Sequence, residues 1–162
     1  MSRWLTEMMV DDFIHDPVLA CECIFGIQQP PHQQLRLWGA WSHPFFFDSS
    51  GFGTGKTLTI AIVAALRMML MQDRVAGSIG NTYEQGMQVY RYFDRWLDTN
   101  PIFRNEVRKD WRNRPASTHS SGAAVLKGRN TGSEIRVIPP AFMRDSERVA
   151  SESWTDGYFE EW

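Results

Sequence analysis

Residues Ser50 to Thr57 read SGFGTGKT, in which Gly51, Gly53 and Gly55 are followed at once by a lysine and a hydroxyl. That spacing suits the binding of a phosphate chain. Small residues let successive backbone N–H groups turn toward phosphate oxygens, a lysine neutralises the β and γ phosphates, and a hydroxyl reaches the accompanying Mg2+. On this reading Ser50, Gly51, Phe52, Gly53, Thr54, Gly55 and Lys56 wrap the phosphates of ATP, and Thr57 adds a metal ligand. The pattern G-x-x-x-x-G-K-[ST] expects glycine where Ser50 stands. Serine is small, and Gly51 beside it can absorb an unusual backbone angle. The bland alternative is a glycine-rich turn with an incidental Gly-Lys-Thr.

Such a loop works between a buried strand and the first turn of a helix, whose dipole adds partial positive charge. The flanking sequence predicts both. Pro44 to Asp48 (PFFFD) is too short for a helix and too apolar for a loop, so it reads as a buried strand. TLTIAIVAALRMMLMQ follows, nearly all apolar, which predicts a helix covered on more than one side.

Further elements follow from local signals. Asp16 as N-cap, Pro17 and a terminating Gly26 bound a short helix over VLACECIF. QPPHQQ is expected to break regular structure before a second apolar run, Leu35 to Trp41. RVAGSIGNT reads as a strand ended by the Asn81-Thr82 pair, and Val89, Phe93, Trp96 and Leu97 recur at helical spacing over Glu84 to Leu97. Pro101 to Ser121 is basic and gives no clear element, while AAVLKGRNTGSEIRVIPP predicts two strands joined around Asn130 to Gly132. Strands alternating with helices predict an α/β fold with a mostly parallel sheet and right-handed crossovers. GYFEEW resembles a further strand, and the abrupt stop after it suggests a fragment.

Composition agrees with a folded domain. The 162 residues are 43% hydrophobic and 22% charged, with seven tryptophans, which excludes a disordered chain. A net charge of −2 means that any DNA contact must come from a local patch. One segment qualifies by composition, Arg104 to Arg114, with Trp111 as an apolar contact, although a solvated charged surface is the better reading of it. The acidic N-terminal residues do not form a signal peptide, and Arg67 interrupts the longest apolar run. That run also falls short of the roughly 20 residues of a membrane span. A soluble, intracellular protein is expected. Cys21 and Cys23 are too close for an unstrained disulfide and read as reduced thiols in or on a helix.

Three stretches bear on which nucleotide reaction the loop serves. Gln33 and Gln34 precede it by about twenty residues, and a side-chain amide can pair with both N6 and N7 of adenine. Glu160 and Glu161 follow Tyr158-Phe159, where an ATPase needs one carboxylate for Mg2+ through water and another to polarise the attacking water. Arg144 and Arg148 could reach a neighbouring subunit's γ-phosphate, or simply be solvated.

With these motifs in place, DPVLACECIFGIQQPPHQQLRLWGAWSHPFFFDSSGFGTGKT resembles the opening of the large terminase subunit of tailed phages, the DNA-packaging motor. GNTYEQGMQVYRYFDRWL, NTGSEIRVIPP and ERVASESWTDGYFEEW are similar to its later strand–helix, hairpin and Walker B segments. Thr82 and Gln85 stand at the family's Thr-x-x-Gln stretch.

The resemblance implies a P-loop NTPase fold, residues 1–43 forming an N-terminal helical and adenine-motif segment and 44–162 the ATPase core. It implies Gln33 at adenine, the loop at the phosphates, Thr57 and Glu160 at Mg2+, Glu161 as catalytic base and Arg148 as a trans-acting finger. It implies double-stranded DNA, a portal protein and a small terminase subunit as partners, a homo-oligomeric ring, and the cytoplasm of a bacterial host. The family's nuclease domain is expected to lie outside this chain. Two residues depart from the family pattern besides Ser50: Glu160 replaces an aspartate, and Phe52 stands where many members carry an arginine, leaving the finger to Arg144 or Arg148. A small-molecule P-loop kinase, a helicase-type translocase and a non-catalytic nucleotide-binding module share parts of this pattern. Product analysis separates the kinase, which phosphorylates an acceptor, from the motor, which releases free phosphate.

Overall fold

The computed structural model describes residues 7–43, 48–49, 51, 53–80, 83–110, 124–138 and 156–160. The chain is α/β, with helices packed against a five-stranded mixed sheet. The helices are α1 (Glu7–His15), α2 (Pro17–Phe25), α3 (Pro31–Ser42), α4 (Lys56–Leu70), α5 (Tyr83–Thr99) and α6 (Pro101–Glu106). The strands are β1 (Val75–Gly80), β2 (Val107–Asp110), β3 (Ala124–Gly128), β4 (Glu134–Ile138) and β5 (Asp156–Glu160).

Local chemistry explains the helix ends. The Asp16 carboxylate accepts from the N–H groups of Val18 and Leu19, both at 3.0 Å, satisfying two orphan donors of α2. Gly26 ends α2 in the left-handed region at φ 66°. Asn100 caps α6 through Phe103 N–H at 2.9 Å, and its amide donates to Ile24 O at 2.5 Å, tying α6 to α2. One expectation needs correction. QPPHQQ does not break regular structure throughout, because Pro30 and Pro31 open α3 and Gln33 and Gln34 lie in its first turn. Proline at the first helical position has its fixed φ and lacks only an N–H that would be orphaned anyway.

The sheet order is β2-β3-β4-β1-β5. β1 pairs parallel with β4 and with β5, whereas β2-β3 and β3-β4 are antiparallel. The mostly parallel expectation is therefore corrected to a mixed sheet. The short turn after Gly128 returns the chain directly beside β3, and a turn this short permits only an antiparallel neighbour. The basic stretch without a predicted element supplies α6 and β2. The strand expected over 44–48 falls largely outside the described residues, as do the Asn81-Thr82 pair and Trp111.

Alternation divides the sheet. Ala76, Val107, Leu126 and Ile135 are buried at 3% exposure or less and share one face by register. The adjoining row on the other face runs Arg108, Lys127, Glu134 across three strands, with Lys127 and Glu134 paired at 3.7 Å. Helix α4 packs on β3 and β4, and α5 packs against α4, β1 and β4. Phe25, Phe93, Trp96 and Phe103 form an aromatic cluster joining α2, α5 and α6, with ring centroids 4.3 to 6.2 Å apart. Arg67, the charge within the apolar helix, donates to the carbonyls of Ala40 and Trp41 and lies over the Trp41 ring. Among the described residues no helix is long and apolar enough to cross a membrane.

The turn between β3 and β4 sets the direction of α4. Thr131 Oγ1 donates to Met68 O, and Ser133 Oγ donates to Met71 O at 2.7 Å while accepting from Arg74 N–H at 2.9 Å. β4 therefore starts beside the carboxyl end of α4, and β1 starts in register with it. From this junction α4 extends about 22 Å, at about 1.5 Å per residue, back to its amino end at Lys56.

Candidate functional site

Two loop glycines adopt angles that L side chains resist: Gly53 at φ 73° and Gly55 at φ 86°. Gly55 is the N-cap of α4, and it offers no side chain to the first-turn N–H groups. The Thr54 hydroxyl donates to Gly51 O at 2.9 Å, closing the loop on itself. Lys56 and Thr57 are the first residues of α4 and are half-buried. A left-handed turn emptying into a helix amino terminus, with lysine and threonine leading that helix, has the donor set an anionic, metal-accompanied ligand requires. Ser50 and Phe52 lie outside the described residues.

Helix α3 lies against this loop. Gln33 Nε2 donates to Thr54 O at 3.3 Å, and Arg36 Nη1 donates to the same carbonyl at 2.7 Å. Arg36 Nε also pairs with Asp48 Oδ2 at 2.5 Å, with the two side chains only 10% and 19% exposed. A Cβ at Gly55 would stand 2.7 Å from Gln33 Nε2, so a side chain here would be strained by its angle and would displace the Gln33 amide. The two glutamines left equivalent by sequence are thus distinguished by position. Gln33 reaches the loop, while the Gln34 amide turns back to Gln29 O at 2.8 Å.

Sequence reasoning missed one of these neighbours. Arg36 went unnoticed because PPHQQ was read as a break; once Pro31 starts a helix, Gln33 and Arg36 share a face at i, i+3. Gln29 is buried at 5% exposure, and among the described residues neither its amide nitrogen nor its side-chain oxygen has a partner. That buried amide stands just before α3, a donor and an acceptor of the kind that buried polar groups ordinarily engage.

Glu160 is the last residue of β5, level with Gly80 at the end of β1. Glu161, Arg144 and Arg148 lie outside the described residues. The two thiols separate as expected of reduced cysteines on one helix: Cys21 is buried and Cys23 exposed. Burial, with a smaller contribution from Glu22, pushes the Cys21 thiol up to about 12.

No protein-family model matches the chain, and no curated protein shows significant similarity to it.

Proposed function

We propose that this chain is the ATP-hydrolysing motor domain of a viral DNA-packaging terminase, built on a P-loop NTPase fold. The observation that carries the nucleotide reading is the loop itself: Gly53 and Gly55 in left-handed angles, ending at an α4 amino terminus led by Lys56 and Thr57. The placement of Glu160 at the carboxyl end of β5, parallel to β1, adds support. The step from nucleotide binding to DNA packaging rests on the sequence resemblance.

In this reading Lys56 and the loop N–H groups hold the phosphates, and Gln33 reads adenine. Thr57 would hold Mg2+ directly and Glu160 through water; the ion there supplies charge neutralisation on the phosphates. Glu161 orients the attacking water, and Arg148 of an adjacent copy neutralises charge developing in the transition state. Double-stranded DNA is the translocated substrate, with the portal protein and small terminase subunit as partners.

Titration calorimetry with Mg-ATP tests the nucleotide step. Wild-type binding that Lys56→Ala removes, with unfolding midpoint unchanged, is the expected result. Equal affinity in both proteins would sink it. Release of inorganic phosphate without acceptor phosphorylation then separates a motor from a kinase, and stimulation of that release by duplex DNA separates a packaging motor from a simple nucleotide-binding module.

A further inference from the structure

We infer that Arg36 is a positioning residue that holds both ends of the phosphate loop on one rigid plane and thereby aims the Gly55 N–H at the phosphate. The inference rests on the nucleotide reading of the loop.

Arg36 touches the loop at entry and at exit. Its Nε meets Asp48 and its Nη1 meets Thr54 O, six residues further on. A guanidinium is planar and its donors keep a fixed spacing, so the two contacts set the distance between Asp48 and Thr54; a lysine ammonium, a single point donor, cannot do this. Gln33, one helical turn back on the same face, adds a second donor to Thr54 O. That carbonyl has two lone pairs, and α3 supplies a donor for each.

The consequence is directional. In a trans peptide the C=O and the following N–H point in opposite directions. Anchoring Thr54 O toward α3 turns the Gly55 N–H away from α3, to the open side of the loop. Gly55 at φ 86° then hands the chain to α4, whose own N–H groups continue the row. The ion pair has an electrostatic role as well. The pair sets a guanidinium directly against the Asp48 carboxylate, a negative charge in a loop meant for an anion. With both side chains largely removed from water, the pairing is little screened by salt.

The test compares Mg-ADP with adenosine on the full chain by titration calorimetry, in wild type, Arg36→Ala, Asp48→Asn and the double variant, with urea midpoints recorded for each. Arg36→Lys replaces Arg36→Ala if the latter fails to fold. The expected result is that Arg36→Ala or Arg36→Lys weakens Mg-ADP about 10- to 100-fold, the loss associated with a charged hydrogen bond, and leaves adenosine unchanged. Asp48→Asn should also weaken Mg-ADP, and the double variant should be no worse than the arginine variant alone. If Asp48→Asn instead tightens Mg-ADP, Arg36 acts by direct attraction of phosphate and the positioning role is overturned. A folded arginine variant within twofold of wild type overturns it too. Wild-type protein that binds Mg-ADP no better than adenosine overturns the phosphate-loop reading itself, and the inference with it.

Discussion

The Ser133 hydroxyl donates to Met71 O at 2.7 Å, joining residues 62 positions apart. Through this bond and its return contact from Arg74 N–H, the β3–β4 turn is fastened to the end of α4. The phosphate-loop candidate lies at the other end of the same helix, so this fastening aligns the site with the sheet. Ser133 is fully buried. Ser133→Ala would take this partner from a part-buried carbonyl and a part-buried N–H, at up to about 1–3 kcal/mol each before relaxation or water entry. We expect Ser133→Ala to lower the stability measured by urea unfolding by about 1–3 kcal/mol. A loss under about 0.5 kcal/mol would show that water replaces the hydroxyl.

Gly53 and Gly55 should respond differently to substitution. Both have positive φ, worth roughly 1–2 kcal/mol against alanine, but the space around them differs. Among the described residues nothing lies within 4 Å of a Cβ at Gly53, whereas at Gly55 it meets the Gln33 amide. Gly55→Ala should therefore displace Gln33 from Thr54 O. In a double-mutant cycle, Gln33→Ala should cost measurably less in the Gly55→Ala background than in wild type. Strict additivity would mean that Gln33 does not hold the loop.

The Cys21 thiol gives a pH dependence with a definite sign. Its folded pKa is raised from 9.0 to about 12. Between those values the unfolded chain loses the thiol proton while the folded chain retains it, so stability falls as pH rises. The slope attributable to Cys21 is at most about 1.4 kcal/mol per pH unit. Urea unfolding at pH 8 and pH 10.5 should show a decline in wild type that Cys21→Ala reduces. Alkylation at pH 8 should label Cys23 rapidly and Cys21 only through unfolding.

If Arg148 acts in trans, hydrolysis requires neighbouring copies. Phosphate release per chain should then rise with protein concentration and fall away in the nanomolar range. Turnover per chain that stays constant on dilution would remove the need for a neighbour.

Much of the local structure was legible in the sequence because its determinants lie within a turn of one another. Asp16, Pro17 and Gly26 bracket α2 through contacts two to four residues long. The NTG turn between β3 and β4 and the apolar run of α4 are equally local. The loop was recognisable for the same reason, since its glycines, lysine and threonine are contiguous.

What surrounds the loop was not legible. Gln33 and Arg36 meet Thr54 across 21 and 18 residues, Ser133 meets Met71 across 62, and β5 settles beside β1 from 80 residues away. Periodicity shows which residues want to be buried, yet it does not say which strand will lie beside which. That choice belongs to the whole sheet at once, where hydrogen-bond register and the covering of the strands by α4 and α5 are satisfied together. Contiguous residues specify a glycine loop led into a helix by lysine and threonine; only long-range packing sets α3 against it.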